Sequence, residues 1–272
     1  MSSESSEILH TLRRTIATGV PVEDSRLVSF GVASLDQALA GGLACGALHE
    51  IGPAASLQGG AATGFTMALA ARALGGPRGQ AVWIQTDFTV TEAGTLYGLG
   101  FDFMGLSMDR LVVLRVPRPR DALWAMEETL KCRAVSAVVA EFASEEADLT
   151  ATRRLALAAR AGGGLGLILH LNTTPDAKLP CGQPSCQPTA ATTRWEVASA
   201  CGERDRFGGF GPTTFALSLV KNRRGRTGQW RLSWDHHEYA FATSLSLPVA
   251  PSARDGSHRN ESPHALFRLR AG

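Results

Sequence analysis

From residue 47 onward the chain alternates short, almost wholly apolar runs with amphipathic stretches. The apolar runs are ALHEIG (47–52), AVWIQT (81–86), LVVLRV (111–116), VSAVVAEF (135–142) and LGLILHL (165–171). All five read as strands, and the nearly continuous apolar character of 135–142 and 165–171 fits buried central strands of a parallel sheet. Between them apolar positions recur at helical spacing. An Ala-rich helix is expected at 64–75, ended by Gly75-Gly76-Pro77, and another near 90–99. Pro119 opens a third, which runs to about Arg133 with Leu123, Met126 and Leu130 inward, and a fourth covers 149–161. This succession predicts an α/β domain with a mostly parallel sheet and helices on both faces.

The pattern changes at either end. Residues 4–17 place Ile8, Leu9, Leu12 and Ile16 on one helical face, residues 18–33 read as linker, and SLDQALAGGLACG (34–46) holds a short helix stopped by Gly41 and Gly42. Beyond 172, four prolines (175, 180, 184 and 188) make 173–193 a long loop. WEVASA, FALSLVKN and GQWRLSW then read as strands, the last two a hairpin around RRGRTG that adds an antiparallel edge. The expected organisation is an arm and linker (1–24), a core (25–247) and a polar, flexible tail (248–272).

Composition narrows the class. A length of 272 residues with 44% hydrophobic content supports one substantial core, and a net charge of +2 argues against a strong overall nucleic-acid field. Five cysteines without regular spacing, no charged-then-apolar leader and no apolar run near the ~20 residues that span a bilayer point to a cytoplasmic protein with free thiols and no membrane contact.

One stretch carries candidate chemistry. GGAATGFT (59–66) matches the phosphate-binding pattern G-x-x-x-x-G-K-S/T through Gly59, Gly64 and Thr66, but Phe65 stands where the lysine belongs. Backbone amides and a helix N-terminus could still surround phosphate, and the Thr66 hydroxyl could reach Mg²⁺. Phe65 supplies neither charge nor donor. A Gly-rich chain also produces this spacing readily, and Phe65 lies four residues before Leu69, so its ring can fold into the core. Both readings stay open on the pattern alone.

The order of elements resembles RecA over roughly residues 25–235. SLDQALAGGLACGALHEIGP is similar to the segment that feeds the RecA P-loop, WIQTDF to the strand ending at the glutamate that activates water, and VSAVVAEF to the Walker B strand. LILHLN is similar to the strand whose last residue senses the γ-phosphate, and SLVKNRRG to the RecA VKNK strand. The resemblance thus makes Asp87, Glu141 and Asn172 vestigial ATPase positions and gives Lys221 and Arg223 a basic role. With its HEIGP strand and the A-T-G-F helix start, the chain looks like ImuA, the RecA-like, SulA-related family of bacterial inducible mutagenesis.

That resemblance implies a non-catalytic accessory subunit of an SOS-induced, error-prone translesion DNA synthesis complex. The implied partners are an ImuB-like homologue of Y-family polymerases and a C-family DNA polymerase alpha subunit, with RecA as a further candidate. Contact with nucleic acid is expected to be weak or indirect, and no cofactor or metal is expected. The alternatives are a degenerate RecA-type ATPase that binds DNA and a SulA-like inhibitor of cell division.

Other groups carry less. CGQPSC separates Cys181 and Cys186 by five residues without a matching second pair, so free thiols are expected there rather than zinc. The counterparts of the RecA DNA loops are acidic (143–148) or nearly without cations (173–193). Lys221, Arg223, Arg224 and Arg226 put four cations in six residues, with no acid among them, and suggest a phosphate or partner contact. In the tail, Leu266, Phe267 and Leu269 form an apolar cluster suited to docking on a partner.

Overall fold

The computed structural model describes residues 26–75, 79–143, 147–171, 188–202, 209 and 211–243. The arm, Asn172, the Cys181–Cys186 pair and the Leu266, Phe267 and Leu269 cluster lie outside them.

A small antiparallel ladder, β1 (Leu27–Val28) with β2 (Leu43–Ala44), brackets helix α1 (Ala33–Ala38). Residues 27 and 28 therefore pair in a ladder, where a linker was expected. Strand β3 (Ala47–Pro53) leads through a 3₁₀ turn into α2 (Gly59–Ala73), and β4 (Gln80–Thr86) follows. The helix expected near 90–99 is two helices, α3 (Asp87–Ala93) and α4 (Gly98–Phe103), broken at Gly94, whose φ of 87° is a left-handed value. A capping box between Thr86 and Thr89 starts α3.

The remaining elements are β5 (Leu111–Val116), α5 (Pro119–Leu130), β6 (Val135–Phe142), α6 (Leu149–Gly162) and β7 (Leu165–His170), then β8 (Thr193–Ser199), β9 (Thr213–Asn222), β10 (Gly228–Asp235) and β11 (Ala240–Thr243). Asp148 caps α6 by accepting from the Ala151 amide at 2.7 Å, and Gly163 ends it at φ 80°.

Nine strands form one sheet in the order β11-β10-β9-β8-β3-β7-β6-β4-β5. From β8 to β5 every pair is parallel; β8, β9, β10 and β11 are joined antiparallel. The fold is the expected α/β class with an antiparallel extension, longer by β11 than the sequence suggested. Two apolar layers result. Helix α2 covers one face, over β3, β6, β7 and β8, while α5 and α6 cover the other. Helix α2 begins where β3 ends, at the carboxyl edge of the parallel strands, where α/β sheets place ligands.

Candidate functional site

The stretch that matched a phosphate loop is regular helix. Helix α2 starts at Gly59, five residues before the expected start, and Thr63 donates its hydroxyl to the Gly59 carbonyl at 3.0 Å. Alanine at 61 and 62 favours helix, and nothing in the sequence rewards an open loop there. The consequence is chemical. Helical bonding commits the amides of residues 63–66 to carbonyls four residues back, so they do not converge on a phosphate.

The two side chains that would act on a nucleotide are also committed. Thr66 is fully buried and donates its hydroxyl to the Ala62 carbonyl at 2.7 Å, within its own helix. Phe65 is 0% exposed and sits at the centre of an aromatic cluster. Its ring centroid lies 6.2 Å from Phe30 and 5.8 Å from each of Trp195, Phe215 and Phe241. Those partners come from the segment before α1 and from β8, β9 and β11, so Phe65 is the point at which α2 joins the antiparallel strands. Gly64 faces the same cluster, and a Cβ there would only touch the Phe215 ring at 3.6 Å, an ordinary contact, so the packing does not require glycine.

The carboxylates lead to separate places. Glu141, on β6, is buried and accepts from Trp83 Nε1 at 2.6 Å and from Gln85 Nε2 at 2.9 Å, both on β4. Burial raises its pKa, and hydrogen bonds from Gln85, Trp83 and Thr89 partly counter that. Asp87, at the start of α3, is exposed and pairs with Arg115 of β5 at 2.5 Å. One carboxylate ties two strands together inside the core and the other ties a helix to the sheet edge.

Sequence reasoning missed the polar pair His49 and Glu50 in the middle of β3. Both are 0% exposed. His49 Nε2 lies 2.9 Å from the Ala44 carbonyl, which only a protonated nitrogen can satisfy. The ring is therefore the neutral Nε2–H tautomer, and Nδ1 accepts from the Thr193 hydroxyl at 2.8 Å. Trp195 Nε1 donates to the same Thr193 oxygen at 2.9 Å. Polar residues inside an otherwise apolar central strand were the available signal.

Glu50 organises the basic hairpin. Its Oε2 accepts from Arg194 Nε at 2.7 Å and from the Thr189 hydroxyl at 2.9 Å. The Thr189 carbonyl in turn accepts from Lys221 Nζ at 2.8 Å and Arg223 Nη2 at 3.3 Å. Burial lowers the Lys221 pKa, with the neighbouring Arg223 adding to it. Arg224 reaches the Gly42 carbonyl at 3.5 Å, and Asn222 bonds the Ala38 and Arg226 carbonyls. Three of the four cations thus brace backbone, and the side chain of Arg226 is exposed.

A stability consequence follows for this cluster. Arg194→Ala removes the cation closest to a carboxylate only 1% exposed and should cost about 3–5 kcal/mol. Adding Glu50→Leu should recover much of that loss, because it removes the stranded charge. Urea midpoints of the single and double variants decide it; a double variant no more stable than Arg194→Ala contradicts the assignment.

Fold and site together define the class: a RecA-like α/β domain in which the stretch matching the phosphate-loop pattern is helix and Phe65, at the lysine position of that pattern, lies in the core. No family model matches the chain. Two curated proteins, each named Protein ImuA and each from a strain of Caulobacter vibrioides, are 34% identical to it over 211 residues, covering 76% of this chain and 82% of theirs. The chain belongs to the ImuA family. Among the described residues no helix is long and apolar enough to cross a membrane.

Proposed function

We propose that this chain is a non-catalytic accessory subunit of a damage-induced, error-prone translesion-synthesis assembly, acting through protein contacts. In this reading its partners are an ImuB-like homologue of Y-family polymerases and a C-family polymerase alpha subunit. Family membership supports the context. The observation that carries the non-catalytic part is the burial of Phe65 among four aromatic rings, where a P-loop would present its cation. Weak, salt-sensitive binding to single strands is part of the proposal, since Lys221 and Arg223 are held on a carbonyl.

Two measurements test it. Purified protein with ATP and Mg²⁺ should release phosphate at the background rate; turnover abolished by Asp87→Ala would overturn the non-catalytic role. Tagged chain recovered from DNA-damaged cells should bring down the polymerase homologue and the polymerase subunit. Recovery of neither, with folded bait, would overturn the assembly role. A chain ending at residue 250 should lose that recovery if Leu266, Phe267 and Leu269 form the docking motif.

A further inference from the structure

Strand β5 closes one end of the sheet, and among the described residues it pairs with β4 alone. Edge strands are usually blunted by Pro, Lys or an inward charge. This one reads LVVLRV; its one charge, Arg115, is paired with Asp87, and it exposes apolar side chains on both faces: Val112 is 51% exposed, Val113 44% and Leu114 36%. Val112 and Leu114 share the face of Val82 and Ile84, while Val113 shares the face of Trp83. Three of the fourteen exposed large apolar residues among those described are these consecutive positions of β5.

We infer that β5 pairs antiparallel with β5 of a second copy of this chain, joining two nine-stranded sheets across a two-fold axis at Val113. The chemistry of the edge selects that occupant because it is self-complementary. A two-fold perpendicular to the sheet keeps each side chain on its own face, so Val112 meets Leu114 twice and Val113 meets Val113. A slip of one residue would set the faces against each other.

Charge agrees with this register. Before β5 the edge carries exposed Asp109, which accepts from Ser107. After it, Arg118 and Arg120 share the single carboxylate of Asp121, at 3.2 and 3.7 Å. Antiparallel pairing about Val113 brings the 3₁₀ turn Met108–Arg110 of each copy, with Asp109, towards the end of β5 in the other, where Arg118 and Arg120 follow the strand. The closed two-fold also removes the open edge from both copies at once.

The test is sedimentation velocity on the purified full chain over a range of concentrations. The expected result is a dimer whose dissociation constant rises about tenfold or more with Val113→Glu, which brings two carboxylates together on the axis. Asp109→Arg should weaken the dimer, and adding Arg118→Asp should restore it; circular dichroism and thermal melts confirm that each variant is folded. The inference is overturned by a wild-type chain that is monomeric throughout, or by a dimer that Val113→Glu leaves intact. It is also overturned if the chain dimerises only after residues 1–25 or 244–272 are removed, because its own terminal segment then covers the edge.

Discussion

Phe65→Lys should unfold or severely destabilise this protein and should not produce an ATPase. The substitution restores the sequence pattern G-x-x-x-x-G-K-T, so it is the change the pattern itself suggests. The position, however, is 0% exposed and ringed by Phe30, Trp195, Phe215 and Phe241. Loss of the aromatic side chain costs about 3–5 kcal/mol in a core of this kind. The ammonium then lacks an anionic partner, and cation–π attraction, worth about 0.5–2 kcal/mol, does not cover both losses. A total of about 4 kcal/mol or more is a large part of the 5–15 kcal/mol by which a domain is usually stable. Phe65→Leu keeps the site apolar and should cost roughly half as much or less, in line with better-tolerated apolar swaps. Guanidinium unfolding of the three proteins is the measurement; a Phe65→Lys protein as stable as Phe65→Leu would show that the cluster is not the keystone of α2. Any folded fraction should still leave ATP intact, because the Thr66 hydroxyl remains bonded to Ala62 and the local amides remain helical.

The same residue explains how far the sequence could be read. Strand–helix alternation gave the sheet and its helices because parallel strands need apolar side chains on both faces. The fate of GGAATGFT was not local information. Helix or loop at 59–63 depends on whether a phosphate rewards the open form, and the ring at the lysine position of the pattern is held by residues 30, 195, 215 and 241, far away in the chain. The basic hairpin shows the same limit. Four cations in six residues suggest a surface contact until Thr189 appears beside two of them. The β5 run was legible as a strand but not as an exposed one, since an apolar run has the same sequence whether its neighbours cover it or a partner does. His49 and Glu50 were visible as polar residues in a central strand, yet their partners at 189, 193 and 194 come from across the sheet.

His49 makes this fold sensitive to acid well above the range where ordinary carboxylates titrate. Its pKa is lowered from 6.5 to about 4, first by complete burial, against the opposing pull of the Ala44 carbonyl and with a further push from Arg224. The folded protein therefore holds the ring neutral while the unfolded chain begins to protonate near pH 6.5. Between those two values the unfolded state binds more protons, so stability rises with pH there and is lost as pH falls from 6.5 towards 4. At 1.36 kcal/mol per unit, the shift corresponds to a loss of about 3 kcal/mol across the window. His49→Gln separates this from the carboxylates: it keeps a donor for Ala44 and an acceptor for Thr193 but does not titrate. The variant should be less stable than wild type near neutrality, because its amide fits the two partners less well, yet its urea midpoint should change little down to about pH 5. Wild type should lose most of its advantage over the same range. If the two midpoints instead fall in parallel, the acid sensitivity belongs to other groups and His49 is no more than a buried donor.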